Sequence, residues 1–256
     1  WGEVTYDANT STYTYTPDQN FNDADFNDSD SIDFVVTDGN GGNTMASKSV
    51  TITAVNDAPI ATYATAQATS EVSVALIGQL SATDVDANET LTYSFSGANP
   101  IDGLTINEQT GAWSFDPSVE AYNALVKDET QTITVDYTVT DSSDATNNTG
   151  TGSFVITLTG TNDAPVATFS EAQTATEDDP SIGGTLSATD SDSADTLSFQ
   201  LLGSDIPGLT INPDGTWSFD PTNTAYQGLA AGESQTITVN YGVADSNGAL
   251  AQNSFS

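Results

Sequence analysis

Thr132-Ile133-Thr134-Val135-Asp136-Tyr137-Thr138-Val139 alternates without a break. Ile, Val, Tyr and Val point one way and Thr, Thr, Asp and Thr the other, the period of a strand with one face in a core and one in water. On either side, strand candidates follow at 59–68, 73–82, 90–96, 103–107, 111–115, 131–140 and 152–160. Seven strands separated by turn signals predict a β-sandwich. Asn107-Glu108-Gln109-Thr110-Gly111 and Asn212-Pro213-Asp214-Gly215 lie between short strands and read as hairpin turns in which Gly supplies a positive φ. No helix of useful length is expected, and Ser118 to Leu125 has room only for a short turn.

The unit repeats. Asn56-Asp57-Ala58-Pro59 returns as Asn162-Asp163-Ala164-Pro165, and Ser81-Ala82-Thr83-Asp84 as Ser187-Ala188-Thr189-Asp190, both at an offset of 106. Trp113-Ser114-Phe115-Asp116-Pro117 returns as Trp217-Ser218-Phe219-Asp220-Pro221 at 104, and Tyr13-Thr14-Tyr15-Thr16-Pro17 is a weaker copy 100 residues earlier. The small drift is what loop insertions produce. The expected organisation is the C-terminal part of a first domain over 1–56, a complete domain over 57–162, and a third over 163–256 whose last strand is missing or barely begun. A chain that opens on Trp1 inside a strand-like pattern is expected to be a piece of a longer one.

Composition narrows the function. Lys48 and Lys127 are the only cations, His and Cys are absent, and 36 Asp plus Glu give a formal net charge of −34. Nucleic acid and anionic membrane surfaces are therefore excluded as partners, since both are held by Lys and Arg. No run of 18 apolar residues suggests direct membrane insertion. The recurring blocks of Trp, Tyr, Phe, Val, Ile and Leu argue against disorder. Without cysteine the chain is no disulfide scaffold, so another staple is needed. Trp113, Phe115, Tyr122 and Tyr137, with their copies Trp217, Phe219, Tyr226 and Tyr241, read either as core or as a sugar-stacking platform. Recurrence at one place in each unit favours core.

The acidic residues fall at the ends of the domains. Asp84-Val85-Asp86 and Asp190-Ser191-Asp192 hold two carboxylates at a spacing that lets both turn toward one cation, and Asp141 and Asp245 join them from the loop after strand six. Calcium takes six to eight oxygen ligands, and no imidazole or thiol is present for a softer metal. Ca2+ is accordingly the expected ion, ahead of magnesium. The competing readings are solvated acidic loops and a bulk adaptation to salt. Asp23, Asp25, Asn27, Asp28 and Asp30 form a further cluster without a second copy.

Certain phrases resemble the VCBS repeats of large bacterial surface adhesins of the RTX type. They are Gly184-Thr185-Leu186, Ala188-Thr189-Asp190-Ser191-Asp192, Gly215-Thr216-Trp217-Ser218-Phe219, Leu229-Ala230-Ala231-Gly232-Glu233, Ala244-Asp245-Ser246-Asn247-Gly248 and Thr159-Gly160-Thr161-Asn162-Asp163-Ala164-Pro165. The middle domain departs from the pattern at Lys127-Asp128-Glu129, where Asp128 replaces Gly, and at Asp141-Ser142-Ser143-Asp144, which lacks the loop glycine. Asp38-Gly39-Asn40-Gly41-Gly42 and Val55-Asn56-Asp57-Ala58-Pro59 make the first domain more similar to the related cadherin-like repeats. The resemblance implies tandem immunoglobulin-like, cadherin-like Greek-key β-sandwich domains, all-β, on a bacterial cell surface or secreted. It implies a stalk or extender between an anchor and a distal ligand-binding tip in cell adhesion, with neighbouring repeats as partners and calcium stiffening the junctions. Carried onto this chain, the first junction would use Asn56, Asp57, Asp84, Asp86 and Asp141. The second would use Glu71, Asn162, Asp163, Asp190, Asp192 and Asp245.

Catalysis is not expected. Carboxylate pairs would permit a glycosidase, yet these clusters recur with the domain period and an active site is ordinarily needed once. A carbohydrate- or protein-binding module of the same kind of adhesin is the alternative, with region 18–33 as its most plausible site.

Overall fold

A computed structural model describes residues 2–17, 29–53, 55–86, 89–97, 100–143 and 146–256. Among the described residues the structure is all-β apart from a single 3-10 turn, Glu120–Tyr122, which occupies the stretch expected to hold a short turn. It divides into two compact units: Trp1–Gln67, Leu76–Phe115 and Ile133–Ile156 form one, and Ala68–Ala75, Asp116–Thr132 and Thr157–Ser256 the other.

The first unit opens with two antiparallel hairpins, β1 (Gly2–Asp7) with β2 (Thr12–Pro17) and β3 (Ser29–Thr37) with β4 (Asn43–Thr51). Tyr13 stacks on Phe34 with ring centroids 6.3 Å apart, which joins the hairpins. Val4, Tyr6, Val35, Val36 and Met45 remain exposed. The turn at Asp38 is closed by its own carboxylate, whose Oδ1 accepts the N–H groups of Asn40 and Gly42.

The middle repeat contributes β5 (Ile60–Ala61), β6 (Gln67–Ser70), β7 (Leu76–Gln79), β8 (Ala82–Thr83), β9 (Thr92–Ser96), β10 (Leu104–Ile106), β11 (Ala112–Phe115), β12 (Thr130–Thr140) and β13 (Thr149–Thr159). One sheet has the order β10-β11-β7 and the other β6-β13-β12-β9, while β5 pairs with β8 apart from both. The candidates 59–68 and 73–82 are thus each two strands. The chain leaves β5, paired to β8, and enters β6, paired to β13, so a single alternation conceals a change of partner between the two. The other candidates sit within three residues of their expected ends, the largest shift being β13, which starts at Thr149 instead of 152.

The alternation along β12 is literal. Ile133, Val135, Tyr137 and Val139 are buried and Thr132, Thr134 and Asp136 exposed. Trp113, 3 % exposed, packs on Phe154 with centroids 5.0 Å apart and faces Gly78 across the β7–β11 ladder. A Cβ at Gly78 would stand 2.4 Å from the indole, so the ring lies where a side chain would otherwise be. The Tyr137 hydroxyl donates to the Tyr63 carbonyl at 2.8 Å.

In the second unit the third repeat runs through β14 (Val166–Ala167), β15 (Ile182–Thr185), β16 (Ala188–Thr189), β17 (Ser198–Leu201), β18 (Leu209–Ile211), β19 (Thr216–Phe219), β20 (Val239–Ala244) and β21 (Leu250–Phe255). Its sheets, β15-β19-β18 and β17-β20-β21, enclose Leu186, Phe199, Trp217, Val239, Tyr241, Val243 and Phe255. The Tyr241 hydroxyl donates to the Phe169 carbonyl at 2.8 Å, a copy of the Tyr137 bond. The recurring Trp and Tyr rings are therefore core and form no stacking platform: Trp217 is 4 % exposed, and Tyr122 and Tyr226 are buried. Both hairpin turns hold their glycines in the left-handed region, Gly111 at φ 71° and Gly215 at φ 84°.

Candidate metal centre

Each Asp-x-Asp loop follows a two-residue strand and folds back on itself. Asp84 Oδ1 accepts the N–H of Asp86 at 3.0 Å, and Asp190 Oδ1 that of Asp192 at 3.0 Å. Both are Asx turns, in which a side-chain oxygen accepts the N–H two residues on. The second carboxylate of each pair reaches the linker: Asp86 Oδ2 accepts the N–H of Asp57 at 2.7 Å, and Asp192 Oδ2 that of Asp163 at 2.8 Å.

The linker asparagine supplies the other tie. Asn162 Nδ2 donates to the Asp163 carbonyl and to Asp245 Oδ2, both at 2.8 Å. Asn56 Nδ2 does the same toward the Asp57 carbonyl and, at 3.2 Å, Asp141 Oδ2. The loop after β20 presents Asp245 because its Oδ1 accepts the N–H groups of Asn247 and Ala249 at 2.8 and 2.9 Å, the closure already seen at Asp38. In the middle repeat Ser143 N–H fills this role for Asp141 at 2.8 Å.

Asn56, Asp57, Asp84, Asp86 and Asp141 thus come together inside the first unit, and Asn162, Asp163, Asp190, Asp192 and Asp245 inside the second. Glu71 is held next to the second group through the residue preceding Asn162. Its Oε1 accepts the Thr161 hydroxyl at 2.9 Å and the Thr161 N–H. Asp23, Asp25, Asn27 and Asp28 lie outside the described residues, as does the side chain of Asp30.

Burial here is unusual for carboxylates. Asp192 is 1 %, Glu71 3 %, Asp141 5 % and Asp245 7 % exposed. Several of their oxygens have no hydrogen-bond partner: Glu71 Oε2, Asn162 Oδ1, Asp190 Oδ2 and Asp192 Oδ1 at the second cluster, and Asp84 Oδ2 at the first. Buried acceptors are ordinarily satisfied. One oxygen each from Asp190, Asp195 and Asp245 lies within 4.8 Å of the others. Burial raises the Asp190 carboxyl above its ordinary value, and the carboxylates of Asp195, Asp245 and Asp163 add to this against the Asp192 N–H. Asp192 is raised by burial and by Asp163, Asp190 and Asp195 against the Asp163 N–H. Burial pushes Asp245 up as well, but the Asn162 side chain and the N–H groups of Ala249, Asn247 and Gly248 outweigh it and leave the group lowered. An oxygen-only set with unsatisfied, mutually repelling acceptors fits a hard cation.

Sequence reasoning missed Asp195, which accepts the Ser246 hydroxyl and the Asn247 amide beside Asp245. It missed the copy Glu89, whose Oε2 accepts the Ser142 N–H at 3.1 Å. It also passed over Glu177, the copy of Glu71 at the 106-residue offset, whose Oε2 is likewise buried without a partner. The period itself carried this signal, because an acid stands in both copies at each of these positions.

Residues 162–255 match the family model of the bacterial cadherin-like domain, and residues 56–157 that of the bacterial Ig domain. Among solved structures, the chain is similar to mouse cadherin-23 EC22-24, at 16 % identity and a TM-score of 0.54 over 98 % of this chain and 80 % of that one. It is also similar to mouse protocadherin-24 EC1-3, at 18 % identity and a TM-score of 0.48 over 98 % and 84 %. For the extracellular domain of protocadherin GammaB4 the values are 16 % and 0.43, with 99 % of this chain but 43 % of that one covered. No curated protein matches the sequence. The first of these structures supports the sandwich fold, and the family matches agree with the resemblance to cadherin-like repeats of bacterial surface proteins.

Proposed function

We propose that these cadherin-like and Ig-like repeats form a calcium-stiffened extender of a bacterial surface adhesin, divided into repeats at 1–56, 57–162 and 163–256. The observation that supports this most is the set of buried, partnerless oxygens of Glu71, Asn162, Asp190 and Asp192 gathered at one linker. Ca2+ would be held there by Glu71, Asn162, Asp163, Asp190, Asp192 and Asp245, with Asp195 as a further carboxylate. At the preceding linker it would be held by Asn56, Asp57, Asp84, Asp86 and Asp141. The ion supplies positive charge and directional oxygen coordination. The chain's part is to hold the acceptors in place through the Asx turns and the linker amides.

Without a cation, carboxylates this close repel one another and disfavour the ordered junction. For a site of extracellular type, with a dissociation constant of about 0.1 to 1 mM, about 10 mM free calcium contributes roughly 1.4 to 2.7 kcal/mol to the state that binds. That is enough to bias a hinge by an order of magnitude or more. Among the described residues no helix is long and apolar enough to cross a membrane. The extender role places the chain outside the cell, with its neighbouring repeats as partners.

Small-angle scattering at constant ionic strength tests the mechanism. The expected result is a larger maximum dimension and a narrower conformational spread in millimolar calcium than in chelator, with most of the change lost at the second junction in the Asp190→Asn, Asp192→Asn double variant. Identical profiles with calcium and chelator, or a full effect from magnesium at equal concentration, would overturn it.

A further inference from the structure

We propose that Asn40 is a site of spontaneous modification, at which the side-chain amide is lost and the β3–β4 turn is rejoined through an aspartyl or isoaspartyl link, while Asp195 guards the equivalent asparagine of the third repeat. Asparagine followed by glycine occurs twice in the chain, at Asn40-Gly41 and Asn247-Gly248. In each pair the second residue has no side chain to obstruct attack by its own backbone nitrogen on the neighbouring amide carbon.

The two pairs sit in loops closed by the same bonds. The Asp38 N–H donates to the Gly42 carbonyl and the Asp245 N–H to the Ala249 carbonyl, each at 3.1 Å. Asp38 Oδ1 accepts the N–H groups of residues 40 and 42, as Asp245 Oδ1 accepts those of 247 and 249. Both asparagines are exposed, both glycines are left-handed, at φ 99° and 92°, and a Cβ on either glycine would meet nothing within 4 Å. Water and space are thus equally available to both.

The reacting groups are held differently. Asn247 Nδ2, the nitrogen that must leave, donates to the Asp195 carboxylate at 3.2 and 3.3 Å, and the attacking Gly248 N–H donates to the Asp245 carbonyl at 3.4 Å. Among the described residues neither the Asn40 side chain nor the Gly41 N–H has a hydrogen-bond partner, so both can turn toward each other. The Gly41 nitrogen gives its proton to solvent and bonds to Asn40 Cγ, while the Cγ–Nδ2 bond breaks and Nδ2 departs, protonated, as ammonia. One water then opens the five-membered imide. Cleavage between Cγ and the Gly41 nitrogen gives aspartate, and cleavage at the main-chain carbonyl carbon gives isoaspartate. Either product places a new carboxylate beside Asp38, and the second lengthens by one carbon the backbone that Asp38 holds at residues 40 and 42. The turn of the first repeat is loosened, whereas the loop that presents Asp245 to the acidic cluster keeps its shape.

The test incubates the full chain in mildly alkaline buffer and follows its peptides by mass spectrometry for exchange of amide for acid, with an isoaspartyl methyltransferase reporting the isoaspartyl product. Conversion at Asn40 should exceed that at Asn247 about tenfold or more, the factor set by one hydrogen bond to a charged group that must break before reaction. Synthetic peptides of residues 36–44 and 243–251 should react at nearly equal rates, which would trace the difference to the fold. Asp195→Ala should bring Asn247 close to the rate of Asn40 and leave Asn40 unchanged, with amide exchange along β20 checking that the repeat stays folded. The proposal is overturned by equal conversion of the two asparagines in the folded chain, by an Asn247 that stays slow in Asp195→Ala, or by an Asn40 that keeps its amide while its peptide loses it.

Discussion

The carboxylates of the second cluster oppose one another in their response to pH, and this gives a test of their state. Asp190 and Asp192 are raised above the ordinary 3.8, so the folded chain holds their protons more tightly than the unfolded one. The stability linked to them is fully present at low pH and is lost as pH rises through the raised values. Asp245 and Asp214 are lowered. Burial is outweighed at the first by its amide donors, and the second is held down by the hydroxyl and N–H of Thr216. Their contribution is present above 3.8 and lost as pH falls through the lowered values. In metal-free buffer the melting temperature of the third repeat should therefore climb as pH falls from neutrality toward the ordinary carboxylate range, and drop only below it. With saturating calcium the climb should vanish, because a proton must then displace the ion. Calorimetry from pH 7 to 3 measures both, and a metal-free profile that only falls would show that the buried carboxylates are at ease without a cation.

At the scale of elements, the turn before β12 shows how a departure in sequence need not alter a fold. Asp128 stands where the third repeat has Gly232, and both adopt the left-handed conformation, at φ 65° and 83°. The Asp128 N–H still reaches the Gly160 carbonyl at 3.1 Å. A non-glycine residue in this region is strained, though Asp less than most. Asp128→Gly should accordingly stabilise the middle repeat, by up to about 1 kcal/mol once the greater freedom of glycine in the unfolded chain is subtracted, as measured by denaturant titration. Alternation made β12 legible in the sequence because both its ends keep one partner sheet. The stretches 59–68 and 73–82 were read as single strands because a change of partner leaves the period intact. At the acidic clusters the repeated Asp-x-Asp phrase was legible. Asp195 and Glu89 were not, since Asp in one copy and Glu in the other break the phrase while preserving the carboxylate.

For the whole molecule, recurrence of one sandwich means that each core is its own. Trp113→Ala and Trp217→Ala should each cost about 3 to 5 kcal/mol, the loss for a truncated buried aromatic, in the melting of their own repeat and leave the other transition nearly unmoved in a calorimetric scan. A loss below about 1 kcal/mol would be at odds with the burial of both rings. The linkers carry a different lesson. Asn162 and Asp163 are tied to Asp245 and Asp192, and Asn56 and Asp57 to Asp141 and Asp86, so each linker is bound to the repeat that follows it. From the repeat before, the carboxylate of Glu71 is drawn in, and Glu177 offers the same group one repeat later. A duplicated or transplanted repeat would thus bring its own joint with it and ask a single glutamate of its new neighbour, so that arrays could be lengthened, shortened or shuffled without redesigning any hinge.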